Sequence, residues 1–504
     1  MTFRLTRTGS RQGVSYPGHS ATTIRQLLLG ALVFCASLPL LNAQTIAPAP
    51  SRTDDDSKLL PMPLNNQGDR AFVDLTQRVT ELENELRTRK DFETNNSQQF
   101  NQSTVPLWAD RSNDKWTVKF GGHVQLDYIN WANADSAIPE TIVGPPATPG
   151  TQDYFEFRRL RIVAEGKGYD NLDFRLQMTL EPETVGDSDG DATSPDVKDA
   201  YLSMNDIPWL GRFRIGNFFV PFSLEQVTND TFNVFLERSI PSQGVFAADR
   251  EVGFAIYNAT EDKNVTWACG AFFDSISDTL KERIDDKQGY RLSSRVTWLP
   301  YFDESSNGRY LVHLGAGALF TDDQNNEVQF RARPHIHEGP RLIDSDVLNA
   351  DSYTTGNIEF AVVWGPFAVQ SEAFLSRVNL LAGDTAMVGG AYAHLSYFLT
   401  GESRVFERFG QHGAQFGRNV PKTNFFLTSD GVGSGAWEAK ARWSHLNLND
   451  VSKGEYNDLT VGMNWYWSDR TRVMFDWIHP VTRSQTTFGK TESDLLAMRF
   501  DFNW

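Results

Sequence analysis

The chain has 504 residues, with 47 Lys and Arg against 64 Asp and Glu and a formal net charge of −17, which excludes a small disulfide scaffold and a basic nucleic-acid binder. Mean hydropathy is only −0.41, yet aromatic residues reach 12%, with 13 Trp and 35 Phe, an excess that has to be accounted for. Cysteine is confined to Cys35 and Cys269.

Residues 1–43 read as a signal peptide, with Arg4, Arg7, Arg11 and Arg25 ahead of an apolar run from Leu27 to Leu41 and cleavage near Ala43. The run is too short for a membrane helix. Residues 44–69, rich in Pro, Asp and Asn, have nothing to bury and read as a disordered spacer. In residues 70–90, Phe72, Leu75, Val79, Leu82 and Leu86 repeat as the seam of helices wound together, so a short coiled coil is expected. A lone amphipathic helix lying on a neighbour is the other reading. Residues 91–115 form a polar linker.

From Trp116 to Trp504 the period is two. Phe120, Gly122, Val124, Leu126 and Tyr128 share one face, and Lys119, His123, Gln125 and Asp127 the other. The pattern continues through 172–181, 290–298 and 459–467, always with one apolar face. The runs are about 9 to 14 residues long, matching the length that crosses a bilayer at a tilt better than that of soluble strands. Their second faces carry charges that a sandwich core could not bury unpaired but that a water-filled lumen accepts. Trp131, Trp298, Trp467, Trp477 and Trp504 fall near strand ends, as interfacial girdles would. The fold class is therefore all-β: a transmembrane antiparallel β-barrel of about sixteen strands filling residues 116–504. The tenth strand is expected to start near residue 356. A further candidate, residues 327–333, is excluded because a bacterial single-chain barrel needs an even number. Residues 400–435 form a long link on the side of the short turns, so either a segment is inserted there or the register fails.

Residues 220–251 form the third external loop, whose Phe222, Phe232, Phe235 and Phe246 are too apolar for water. Packing on the inner wall would make it a constriction loop, with Pro221, Phe222, Glu225, Phe235, Glu237 and Arg238 at its centre; contact with a neighbouring subunit is the alternative. The fifth loop adds a basic cluster of Arg331, Arg333, His335, His337 and Arg341, over the mouth or free in solvent. His335 and His337 lack a third metal ligand and a fixed scaffold. Asp187, Asp189 and Asp191 imitate a calcium loop, but Ala192 and Lys198 stand where glycine and a bidentate acid belong. GKT at 489–491 lacks the glycine and the following helix of a phosphate-binding loop. No metal, cofactor or catalytic residue is expected.

Five stretches resemble the phosphate-selective porin O and P family: FGGHVQLD at 120–127, FRRLRI at 157–162, RIGNFFVPFSLE at 214–225 with FLERS at 235–239, YFLTGESR at 397–404 with GAWEAKARWSHLNL at 435–448, and VGMNWYW at 461–467 before the terminal RFDFNW. The resemblance implies a cell outer-membrane porin, homotrimeric, surrounded by membrane lipid and passing small solutes passively. It also implies an arginine ladder leading to lysines at a constriction, with small anions such as phosphate as permeants. The family's ladder has no residue-by-residue match here. Inward-facing candidates are Lys119, Arg159, Arg161, Arg175, Lys198, Arg212, Arg214, Arg291, Arg295, Lys440 and Arg442, and Arg suits bidentate phosphate contact. Asp127, Glu165, Asp173, Asp199, Glu359, Glu372 and Glu438 share those faces, so the mixed field of an unselective pore stays open. A structural barrel anchoring the envelope through its N-terminal segment is the alternative function.

Overall fold

The computed structural model describes residues 116–142, 148–181, 196–273, 289–323, 325–428, 431–451, 454–485 and 487–504. The expected signal peptide, spacer, coiled coil and linker lie outside these, as does the 187–192 acidic run. Sixteen strands pair in chain order and close on themselves. They are β1 (Trp116–Asn133), β2 (Tyr154–Gly168), β3 (Leu172–Thr179), β4 (Asp196–Ile207), β5 (Gly211–Phe219), β6 (Arg250–Ala259), β7 (Val265–Phe272) and β8 (Tyr290–Phe302). Then come β9 (Tyr310–Asp322), β10 (Leu348–Trp364), β11 (Phe367–Leu380), β12 (Thr385–Phe398), β13 (Ala436–Asn447), β14 (Glu455–Tyr466), β15 (Thr471–Arg483) and β16 (Asp494–Asn503). Neighbouring strands from β2 round to β16 pair antiparallel, as does β1 with β16, and closure joins β1 to both β2 and β16.

Two-residue periodicity sorts the side chains. On β3, Gln177 and Thr179 are buried inside, while Leu176, and Leu180 just past the strand end, are exposed outside. On β8, Ser293, Arg295 and Thr297 point in and Val296 and Trp298 point out. A wall polar within and apolar without, with no free edge, is what a bilayer demands of strands. Aromatic rings gather outside at the end that carries the short turns: Trp364 meets Tyr301 and Tyr310, and Trp437 stacks on Trp465 at 4.8 Å. Trp131 departs from the expected girdle. It is buried with Leu236 and Ile336, because residues 129 and 131 continue the inner face of β1.

Strand β10 starts at Leu348, well before the expected 356. Its outward residues there, Asn349, Asp351 and Thr354, are polar and exposed, so the strand continues beyond the apolar band and the alternation signal stops first. Residues 327–328 pair briefly with β10 and form no wall strand.

The link 399–435 is an inserted segment that enters the lumen. Its short ribbon, Phe406–Gly410 with Gly413–Phe416, packs Phe406 and Phe416 against Leu224, Ala361 and Val363. Arg404 lies 3.6 Å over the Phe416 ring.

The barrel seam is held on both faces. Outside, Trp504 exchanges backbone hydrogen bonds with Gly122 (3.3 and 3.2 Å), and its indole covers Gly122 so closely that a Cβ would lie 2.0 Å from the ring. Inside, Arg499 of β16 forms a bidentate pair with Asp127 of β1, both bonds at 2.6 Å, and reaches Glu237 of the third external loop at 2.7 Å. All three side chains are buried. Arg499→Ala leaves two buried carboxylates without this partner, and the expected cost is about 3–5 kcal/mol of barrel stability. Urea unfolding in detergent or lipid checks it; a loss below about 1 kcal/mol contradicts the assignment.

Candidate channel and its constriction

The third loop, residues 220–249, crosses the lumen and is fixed at both sides. Ser223 caps the single turn Leu224–Val227, and the amides of Leu224 and Glu225 donate to the Glu372 carboxylate at 3.0 and 2.8 Å. Phe222 sits beside Gly317, where a Cβ would stand 2.9 Å from its ring, and Phe246 stacks on Phe374. Phe235 lies under the guanidinium of Arg442 (4.3 Å) and near Lys440 Nζ (5.0 Å). Phe232 neighbours Arg418. Pro221, Glu225 and Arg238 are buried within the loop; Arg238 donates to the carbonyls of Glu225, Gln226 and Thr228, and the Glu225 carboxylate accepts from the Ser239 amide.

Two acids of this loop face the arginines of β2. Asp230 lies 2.6 Å from Arg159 and 2.9 Å from Arg161. Burial pushes the Asp230 carboxyl up, but Arg159 and Arg161 overcome it and hold the group well below the usual carboxylate range. Glu237 accepts two hydrogen bonds from Arg158, at 2.8 and 3.1 Å. Arg158 and Arg159 are adjacent yet both reach inward. The inner face changes phase here: Tyr154, Glu156 and Arg158 face in before it, Arg161 and Val163 after it. Strict alternation assigns only Arg159 and Arg161. The adjacent arginines in FRRLRI carry the missing signal, since an arginine on the lipid face is costly.

Three cavities lie on the β1–β6 side. An outer cavity of ≈ 350 Å³ is lined by Arg158, Arg159, Arg161, Lys198, Arg238 and Arg250 against Glu181, Asp196, Asp230, Glu237 and Asp249. Two inner cavities of ≈ 460 and ≈ 980 Å³ share Lys119, Glu165, Arg175 and Gln411. The cross-strand pairs Arg161↔Thr179, Val163↔Gln177 and Glu165↔Arg175 run from the outer cavity to the inner ones. Asp230 lines the first cavity and Asn229 the next, so the third loop marks the passage between them.

The expected cations divide accordingly. Lys119, Arg159, Arg161, Arg175, Lys198, Arg212 and Arg214 line the cavities. Arg175 pairs with Asp199 (3.1 Å) and Glu165 (2.5 Å). Arg212 and Arg214 both donate to the Gln411 carbonyl at 2.9 Å, at the tip of the inserted ribbon. The rest are taken up by other contacts. Arg295 forms a bidentate pair with Glu359 (2.7 and 2.9 Å) and donates to the Ala414 carbonyl, Lys440 pairs with Asp476 at 2.6 Å, and Arg442 donates to the Glu237 carbonyl and contacts His335. Arg291 pairs with Glu251 beside a separate small cavity. Alternation alone misses Arg158 and Arg250; the latter begins β6 and pairs with Asp199 at 2.7 Å. Of the fifth-loop cluster, His335 is buried against Arg442 and Asp458 while His337 turns to Glu156.

Comparison with known proteins agrees with this architecture. The family model described as phosphate-selective porin O and P matches residues 144–504. An uncharacterized protein of Caulobacter vibrioides is 27% identical over 368 residues, covering 71% of this chain and 67% of that one. Porin O of Pseudomonas aeruginosa is 23% identical over 432 residues, covering 77% and 88%. Among solved structures, the anion-selective porin from Comamonas acidovorans aligns over 77% of this chain and 99% of its own at 12% identity and a TM-score of 0.46, too distant a likeness to bear on function. The chain belongs to the phosphate-selective porin O and P family and is an outer-membrane porin.

Proposed function

We propose that this porin is a passive channel with a preference for small anions, phosphate among them, and that it works without enzymatic activity. One observation carries the reading: each of its main cavities has a cationic surplus although the whole chain is at −17. The outer cavity sets six Lys and Arg against five acids, and the larger inner cavity repeats that ratio. The smaller inner one has four against two. Low-dielectric walls focus the field of such a surplus on the solute path and raise the local anion concentration. Arg159, Arg161 and Arg175 supply planar donors suited to oxyanions, and Lys119, Arg212 and Arg214 extend the path inward. The other expected ladder members, Arg291, Arg295, Lys440 and Arg442, serve in this reading to hold the loops and the far wall. In planar bilayers the protein is expected to give ohmic steps whose reversal potential in a salt gradient has the anion sign, with chloride current reduced by low phosphate. A cation-sign potential defeats the proposal.

Asp230 is the acid that most directly offsets the passage arginines. Asp230→Asn is expected to move the reversal potential further to the anion side and to raise single-channel chloride conductance roughly two- to tenfold. An unchanged potential with a normal barrel would show that solutes do not pass Arg159 and Arg161.

We further propose that three copies associate in the membrane, supported by the heptad spacing from Phe72 to Leu86. Unheated electrophoresis is expected to show a trimer that a chain lacking residues 70–90 no longer holds; equal trimer content in both removes the helix from the assembly.

A further inference from the structure

The fifth external loop, residues 323–347, brings a second chemistry to the outer cavity. Glu156 on the inner face of β2 meets His337 and Glu338 near the middle of this loop, with one ligand atom from each lying within 4.8 Å of the other two. His337 Nδ1 is 2.8 Å from a Glu156 oxygen and 3.9 Å from a Glu338 oxygen. A tetrahedral ion with bonds of about 2.0–2.2 Å sets its ligands roughly 3.3–3.6 Å apart, so the two spacings straddle what a single ion requires.

The scaffold that His335 and His337 lack in the sequence is supplied by the fold. The Tyr154 hydroxyl donates to the Glu338 carbonyl at 2.9 Å and accepts from the Glu338 amide at 3.1 Å, so the strand that presents Glu156 also clamps Glu338. Ile336, beside His337, is buried against Trp131 and Leu236. Arg333 closes the loop by donating to the Gly339 carbonyl at 3.0 Å.

The chemistry also suits a cation. The second oxygen of Glu156 is buried without a hydrogen-bond partner among the described residues, an acceptor that a metal would satisfy. His337 keeps 25% of its side chain exposed and lines the outer cavity, which provides a route for entry.

We propose that Glu156, His337 and Glu338 form a binding site for a zinc-class divalent cation at the rim of the outer cavity, with water in the fourth position. One imidazole and two carboxylates suit a first-row transition dication better than calcium or magnesium, which take more oxygen ligands. The bound ion ties the fifth loop to β2 and places positive charge beside Arg158 and Arg159.

The test is titration of the full-length protein, folded in detergent and stripped with EDTA, with zinc against a chromophoric chelator. One equivalent per chain is expected, weakened at least about tenfold in Glu156→Gln and in His337→Gln. Cobalt in place of zinc is expected to give the intense visible absorption of a tetrahedral site, a readout that needs no variant and no channel activity. Substoichiometric zinc binding, parental affinity in both variants when they run as folded barrels, or a purely octahedral cobalt spectrum overturns the site.

Discussion

An arginine withdrawn from bulk water has to be answered by an oxygen, and this requirement organises the inside of the barrel. The wall strands carry the cations, and the answering groups come largely from segments that enter the lumen. Asp230 and Glu237 of the third loop meet Arg158, Arg159, Arg161 and Arg499, while carbonyls at the tip of the 406–416 ribbon meet Arg212, Arg214 and Arg295. Loop and wall are therefore one electrostatic unit. Displacing the third loop would strip several buried charges of their partners at once, so in the proposed channel it acts as a fixed constriction and not as a flap.

The same requirement explains why the lumen is not simply an open tube. On the side of β8–β15, wall acids such as Glu359, Glu372 and Asp476 bind wall cations and loop amides directly. On the side of β1–β6, the carboxylates lining the cavities are fewer than the Lys and Arg. In the proposed channel, conduction and selectivity share an origin in incomplete compensation. A fully paired lumen would be a plug. One with no pairing would leave its arginines without fixed geometry.

The wall was legible from the sequence because lipid enforces it: wherever a strand crosses the apolar band, alternate residues must be apolar, and Leu172–Thr179 or Tyr290–Trp298 can be assigned by reading alone. Legibility ended where lipid stops acting. The outer half-turns of β10 around Asn349 and Asp351 carry no apolar stripe, and Trp131 looks like a girdle residue until residues 129 and 131 are seen to continue the inner face. Side-chain partners were not legible, because they join positions as distant as Asp127 and Arg499, or Arg214 and Gln411, through loops whose path alternation does not describe. The adjacent arginines 158 and 159 lie between these cases. Sequence and lipid together require a phase change there, but only the position of Glu237 gives Arg158 its purpose.

Total charge is a poor guide to what such a channel passes. Acids in the spacer, such as Asp54, Asp55 and Asp56, stand outside the barrel wall in sequence, and charges more than about 8 Å away through physiological salt are largely screened. Groups lining a confined cavity are screened much less. A surplus of one or two cations at close range therefore outweighs many distant carboxylates, because interaction energy falls with distance and with the polarisability of the medium between. An acidic chain can in this way enclose a path of the opposite sign, and in the proposed channel the small local surplus of Lys and Arg over carboxylates sets the sign of the current.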